Sequence, residues 1–420
     1  MRKNLSRIIT YLLCFLLLLL LSCSKEDKPD IQTDNSIEIR ASEVSVEDAV
    51  LDTKVLTEQK HYESIEDIFQ EENHVAPDDR IYIKYMYDGN YGLLDSKLNI
   101  IKKNDYSGIF FAGDYIFYAD KNGVAATDFD LNTKANLKIS AEDIADVSNL
   151  IDDFYDISFL GSVHYIYNMK TKEYLTHKGL ASIHFNEPTS FLQPLCRSGY
   201  YVSLMDGKKY FEGNGYEMVY QFTEGLAVVV LENGEKNLID EEGKTVLDSI
   251  VNCGFCFKNG LMPVITKTKS GYINNKCEFV FECDLADEGK DSRVNAAPSL
   301  KSMFLEDYAY VHTSDTSWTI MKKDGTVVRD NIPYPTQQFG FNNGMIKVYD
   351  NGKSGFVNTD GDLVIPIILD SAEAFVNGYA IVVYNGEDAL LDKEGNVYLS
   401  KDLVDGNKKP FVNVTEEYKK

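Results

Sequence analysis

The chain has 420 residues, long enough for one to three domains, and a formal net charge of −24, with 66 Asp and Glu against 42 Lys and Arg. Charge this acidic argues against nucleic acid and against an anionic membrane surface as direct partners. Hydrophobic residues make up 44%, and Tyr (27), Phe (22) and Gly (28) outweigh Pro (10), a balance that favours strands and turns in a folded core.

Residues 1–22 read as a secretory signal. Arg2, Lys3 and Arg7 precede an apolar run of 14 residues, Ile8 to Leu21, which falls short of the ~20 that a spanning helix needs. Removing residues 1–22, which carry three positive charges and no negative one, takes −24 to −27. At the exit stands "LLSC", Leu20 to Cys23. It resembles the bacterial lipobox, which implies cleavage before Cys23 and lipid on its thiol. "SKEDK", Ser24 to Lys28, resembles the surface-export signal of bacteroidete lipoproteins. The resemblance implies an outer-membrane lipoprotein facing the cell surface, with the periplasmic face as the alternative, touching membrane only through its N-terminal lipid.

Residues 23–42 are polar and read as a flexible tether. In 43–79, "SVEDAVLDTKVLTEQ" and "YESIEDIFQEE" have acid-rich starts and helix-compatible spacing, which predicts a short helical segment. From 80 to 405 the pattern changes to short strands punctuated by Gly and Asp. The clearest unit is "NGMIKVYDNGKSGFVNTDGDLVIP", Asn343 to Pro366, followed by "NGYAIVVYNGEDALLDKEGNVYL", Asn377 to Leu399. Upstream copies begin at Glu224, Asn259 and Glu306. Starts at Gly225, Gly260, Asp307, Gly344 and Gly378 are separated by 35, 47, 37 and 34 residues, the long interval holding an acidic insertion, "DLADEGKDSRVNAAPSLKS". Each copy predicts a turn, an apolar strand, a polar hairpin, a second strand ending in an Asp-x-x-Gly turn, and a third strand. Weaker copies upstream bring the count to about nine units between Ile81 and Leu399. Ser140, with acids two and three residues on, predicts a capped helix across 140–156 that interrupts the rhythm. Residues 406–420 read as a polar C-terminal tail.

"KSGFVNTDGDLVIP" before "SAEAFVNGYAIV" resembles the WG-repeat family of bacterial proteins. Gly271 and Gly355 fill the signature Gly, and Phe222, Phe257 and Phe375 the aromatic before the turn. The namesake Trp is missing from both signature copies, the single Trp318 standing near the equivalent strand of a divergent unit. The resemblance implies an all-β repeat domain and no general activity. Repeats this long, with three or four strands that cannot bury their faces alone, predict a β-propeller-like array, with an open β-solenoid as the alternative.

Chemistry is sparse. Of seven Cys, Cys14 leaves with the signal and Cys23 carries lipid, leaving Cys196, Cys253, Cys256, Cys277 and Cys283. "CGFC" lacks the helix N-terminus of a redox pair, so core packing is the leading reading, with zinc or a disulfide behind it. "DFDLNTKAN", from Asp128, opens like a calcium loop but lacks its central Gly and closing Glu. The six His are scattered, with no metal-binding spacing and no nucleophile motif. No catalytic residue, metal or cofactor is expected. Repeat-signature residues are Gly225, Gly260, Gly271, Gly344, Gly355 and Gly378. The expected role is non-catalytic binding or scaffolding toward a protein or glycan, the alternative a glycan hydrolase with paired carboxylates in a propeller cavity.

Overall fold

The computed structural model describes residues 81–418 apart from 138, 140–143, 160–162, 179–189, 195–198, 205–207, 287–297, 299 and 315–316. The signal, Cys23, the tether and the helical segment expected over 43–79 lie outside the described residues, as does Cys196. Among the described residues no helix is long and apolar enough to cross a membrane.

Strands fall into eight antiparallel sheets, taken in chain order. Unit 1 has strands Tyr82–Tyr87, Asn90–Asp95 and Ile100–Tyr106. Unit 2 spans Gly108–Ala112 to Thr133–Leu137, unit 3 Ile144–Ile151 to Tyr174–Lys178, and unit 4 Leu192–Pro194 to Lys209–Tyr210. Units 5 and 6 share one seven-stranded sheet, from Tyr216–Val219 to Phe279–Glu282. Unit 7 runs from Tyr308–Ser314 to Val327–Ile332, unit 8 from Met345–Asp350 to Leu363–Leu369, and unit 9 from Ser371–Ala372 to Asn396–Leu399.

The shared sheet shows how one unit hands over to the next. Thr245–Cys253 pairs first with Lys236–Asp240 of unit 5 (Leu238↔Leu247), then with Met262–Thr266 of unit 6 (Cys253↔Val264). Ser249, at φ 58°, marks the bend between the two roles. One strand thus ends a unit and starts its neighbour.

Side-chain alternation then builds the core. In "LAVVVL", Leu226–Leu231, Ala227 and Val229 pack toward unit 4 and Val228 toward unit 6. In "YAIVVY", Ala380 and Val382 pack toward unit 8 and Ile381 toward unit 1. Both faces of these strands are buried, so their sequences are continuous apolar runs instead of alternating ones. Among the described residues nine buried clusters form, each joining two successive units. The ninth joins the last unit to the first: Ile83, Tyr85, Leu94 and Leu98 of unit 1 meet Ile381 and Leu390 of unit 9. The array is therefore a closed ring of propeller-like units, with the apolar faces of all nine covered by neighbours.

Two expectations are corrected. The helix expected over 140–156 is a pair of strands, Ile144–Ile151 and Phe154–Phe159, joined through Asp152 at φ 45°. Val147, Leu150, Phe154, Tyr155 and Ile157 all enter inter-unit cores, and that tertiary burial overrides a helical start signal. The stretch expected as a polar tail, 406–420, folds back as far as it is described. Val412–Asn413 pairs with the last strand of unit 9, and Val414 is fully buried against units 8 and 9.

Candidate functional site

Register places two kinds of turn on one face of the ring. In these units one hairpin pairs the first residue of its leading strand with the last of its trailing strand: Tyr82↔Asp95, Tyr115↔Asp128, Leu226↔Asp240, Met345↔Asn358 and Tyr379↔Asp392. The turn before the first and the turn after the second therefore lie side by side, and the hairpins occupy the opposite face.

The inner turns are built around Gly225, Gly260, Gly344 and Gly378, with φ 75–86°, each preceded by another left-handed residue: Glu224, Asn259, Asn343 and Asn377, with φ 52–55°. Two successive positive φ angles define the tight turn in which Asn-Gly is favoured. Before each turn a Phe is driven into the junction with the preceding unit: Phe222, Phe257, Phe304, Phe341 and Phe375, all at most 1% exposed.

The left-handed residues do a second job, which the repeat pattern did not reveal. Each reaches to the next unit, as does Glu306 of unit 7, which is not left-handed. Gly260 N–H donates to Glu224 Oε1 (2.7 Å), and Asn259 Nδ2 donates to the Phe304 carbonyl (2.7 Å). Glu306 accepts from Asn343 N–H and, at 2.9 Å, from Gly344 N–H; Gly378 N–H donates to Asn343 Oδ1 (2.6 Å). Asn377 Nδ2 completes the run by donating to Tyr82 O of unit 1 (2.8 Å). The relay crosses five consecutive junctions, from unit 5 round to unit 1.

The outer turns use an Asx residue as their hub. Asp392 Oδ1 accepts the N–H groups of Glu394 (3.1 Å) and Asn396 (2.8 Å), and Asn358 Oδ1 those of Asp360 (3.1 Å) and Asp362 (2.9 Å). The stretch that opens like a calcium loop is one of these turns. Asp128 Oδ1 accepts Asp130 N–H (3.0 Å) and Asn132 N–H (2.8 Å), and Oδ2 pairs with Lys134 at 2.9 Å. That lysine bond, with the Asn132 bonds, lowers the Asp128 carboxyl to about 2. Gly243, Gly325 and Gly361 take φ 79–85° here, and each meets a side chain of the preceding unit: Phe211, Phe281 and Arg329.

The signature glycines Gly271 and Gly355 answer a different need. A Cβ on Gly355 would lie 2.6 Å from the Ile365 carbonyl, and one on Gly271 2.3 Å from the Phe281 carbonyl. The third strand bulges across the second at these points, and only Gly admits the approach. Trp318 sits in the second strand of unit 7, stacked on His312 (centroids 4.5 Å apart, 14°) and on Tyr310 (6.3 Å, 16°).

No disulfide joins Cys253, Cys256, Cys277 or Cys283. Cys253 and Cys256 are buried, and burial raises the Cys253 thiol to about 12 against the opposing charge of Lys236. Burial, with Asp284 adding, takes Cys283 to about 12 as well. Burial thus favours the protonated thiol at Cys253 and Cys283, the opposite of an activated cysteine. Among the described residues no three His, Cys, Asp or Glu side chains assemble a metal-binding set. Hairpin register does place His164 opposite His177 in unit 3, a juxtaposition that sequence spacing does not show. A groove of about 460 Å³ lies between units 2 and 3, lined by Lys134, Asn136, Tyr167 and Lys172 among others. Both lysines are engaged, Lys134 with Asp128 and Lys172 Nζ with the Lys134 carbonyl (3.1 Å).

With this geometry in view, a family model for the WG containing repeat matches residues 355–387, from Gly355 through the Phe375 turn into unit 9. No curated protein matches the chain. Among solved structures, one described as the eukaryotic initiation factor is 10% identical with a TM-score of 0.50, covering 76% of this chain and 94% of its own. BamB from Moraxella catarrhalis is 13% identical (TM-score 0.37; 69% of this chain, 91% of its own). The computationally designed Ika8 protein is 12% identical (TM-score 0.37; 67% and 91%). At such identities the first of these shows a shared fold alone, a β-propeller-like arrangement.

Proposed function

We propose that this chain is a surface-anchored lipoprotein whose ring is a non-catalytic module for binding or scaffolding a protein or glycan. The observation that carries the reading is how the conserved part of each unit is used. Turn glycines and wedge phenylalanines serve ring assembly, through the inter-unit cores and the turn relay, and Asx hubs fix the outer turns. What differs between units is the exposed remainder. On the turn face this includes Asp307, paired with Lys323 at 3.3 Å, and Asp362, paired with Arg329 at 2.8 Å. A rigid frame displaying non-identical side chains is a recognition surface. The acidic balance directs it toward neutral or basic ligands. Its anchoring rests on the lipobox-like "LLSC" and the export-like "SKEDK", Leu20 to Lys28.

The test uses the mature chain with Cys23→Ser, which removes the lipid attachment point, in a glycan array and in pull-downs from surface extracts. Saturable retention of a defined glycan or protein, without its chemical alteration, supports the proposal. Turnover of a glycan without retention overturns it in favour of a hydrolase. Radiolabelled palmitate incorporation that depends on Cys23, with accessibility to external protease, tests the address independently.

A further inference from the structure

One junction of the ring is unlike the other eight. Between successive units the chain itself crosses, as Thr245–Cys253 does. From unit 9 to unit 1 no chain continues; among the described residues the two lie in separate sheets, as do the other neighbouring units except 5 and 6. Polar contacts there include Asn377 Nδ2 to Tyr82 O, Asp88 N–H to Asp388 Oδ2 (3.0 Å), Tyr91 OH to Glu373 Oε1 (3.4 Å), and Lys84 to Glu373 (3.2 Å), whose side chains are 28% and 44% exposed. To the apolar seam unit 9 contributes two buried side chains, Ile381 and Leu390, with Tyr379 and Tyr398 packed partly buried beside them.

The C-terminal segment adds Leu403 and Val404 to this seam. Helix α1, Ser400–Val404, lies against both ends of the ring, and Leu403 is 1% exposed in the same cluster as Ile83, Leu94, Ile381 and Leu390. Lys408 then bonds Asn99 of unit 1. Beyond it Phe411 N–H donates to Val397 O (2.7 Å), Val412–Asn413 adds a strand to unit 9, and helix α2, Val414–Tyr418, buries Val414 in the core joining units 8 and 9. Residues 400–418 thus grip units 8, 9 and 1 together.

We propose that residues 400–418 are a clasp, keeping shut a seam that units 9 and 1 do not hold by themselves, so that the ring opens at this junction alone when the clasp is released. The hinge is at hand: Gly406, at φ 83°, begins an exposed loop, 406–410, between the two helices. An opened seam would present Ile83, Leu94, Ile381 and Leu390 to solvent while the other eight junctions keep their cores.

Hydrogen exchange on the Cys23→Ser full chain decides it, comparing wild type with Leu403→Asp and with a chain ending at Leu399. Amides of Tyr82–Tyr87 and Tyr379–Tyr384 report the seam, and those of Ser317–Lys322 in unit 7 serve as the internal control. The expected result is at least tenfold faster exchange at the seam in both variants with the control unchanged. Unchanged seam exchange would mean that the units close the ring unaided, and the proposal falls. Equal acceleration in all units, or loss of all structure in Leu403→Asp, overturns it too, because a clasp releases one junction only.

Discussion

The carboxylate of Glu306 closes on the turn of the following unit, with Oε2 accepting the Gly344 N–H at 2.9 Å and Oε1 the Asn343 N–H. An acidic side chain in an acidic protein is here a part of the frame. Glu306→Ala leaves two backbone donors without their acceptor and is expected to cost about 1.5–3 kcal/mol. Glu306→Gln, which keeps one acceptor oxygen, should cost less. Chemical denaturation of both variants checks the order, and Trp318, the single Trp, in neighbouring unit 7, supplies the fluorescence signal.

Phe375 is 1% exposed and meets Phe356 edge-on, centroids 4.7 Å apart, in the core between units 8 and 9. Phe375→Ala should destabilise by about 3–5 kcal/mol through lost burial and the cavity left behind. The change is to be read as a drop in denaturation midpoint with the circular dichroism of the folded baseline retained.

Turn glycines separate backbone strain from crowding. At Gly378, φ 86°, a Cβ would meet nothing within 4 Å, so Gly378→Ala should show only the left-handed penalty of about 1–2 kcal/mol. At Gly243, φ 79°, the same Cβ would lie 2.5 Å from the Phe211 ring, and Gly243→Ala should cost more. The added cost should vanish when measured in a Phe211→Ala background.

Two aspartates, Asp370 between units 8 and 9 and Asp388 between units 9 and 1, should respond to pH with opposite signs. At Asp370, burial works against the charge, but the Lys353 bond (2.5 Å), the Gly386 N–H (2.7 Å) and the Lys353 charge outweigh it and hold the carboxyl below its ordinary value. Its stabilisation is present above the unfolded value of about 3.9 and is lost as pH falls through the depressed one. Asp370→Asn should therefore cost about 0.5–1 kcal/mol at pH 7, discounted because the pair is partly exposed, and nothing near pH 2. At Asp388, burial raises the carboxyl, with the charges of Asp88 and Glu387 adding to it and the Asp88 N–H opposing. A raised acid favours the folded state below its unfolded value, an advantage lost as pH rises through the folded one. Asp388→Asn should accordingly be more stable than wild type at pH 7 and equal to it in acid. Thermal unfolding across pH 2–8 tests both.

Cys253 and Cys283, lifted to about 12, should resist alkylation in the folded chain at pH 7 and react once it is unfolded. Mass spectrometry after an iodoacetamide pulse, with and without denaturant, gives the answer. Rapid labelling of Cys253 under native conditions would contradict its burial.

The fold was legible in the sequence where local chemistry dictates it. Glycines at 225, 260, 344 and 378 mark backbone that must be left-handed, and runs such as "LAVVVL" mark strands buried on both sides. Ring closure was not legible. Ile83 and Ile381 look like any other core residues, and only the tertiary arrangement brings unit 1 against unit 9. The 140–156 stretch misled because a capping pattern is local, whereas the burial of Val147 and Tyr155 comes from neighbouring units. Phe304 escaped notice as a wedge because its copy diverges, whereas Phe341 stands three residues before Gly344 as Phe375 does before Gly378 and was there to be read; Glu224 and Glu306 escaped because a turn carboxylate looks like solvated surface until its acceptor role is seen.

The handover strand Thr245–Cys253 puts the repeat written in the chain out of phase with the blade it builds. A segment running from one turn glycine to the next contains a whole junction and not a whole blade. Its duplication or loss would lengthen or shorten the circle by one step without leaving a torn sheet. Growth by recombination is thus built into the architecture, and the circumference is set by how many junctions fit before the two ends meet at the clasp.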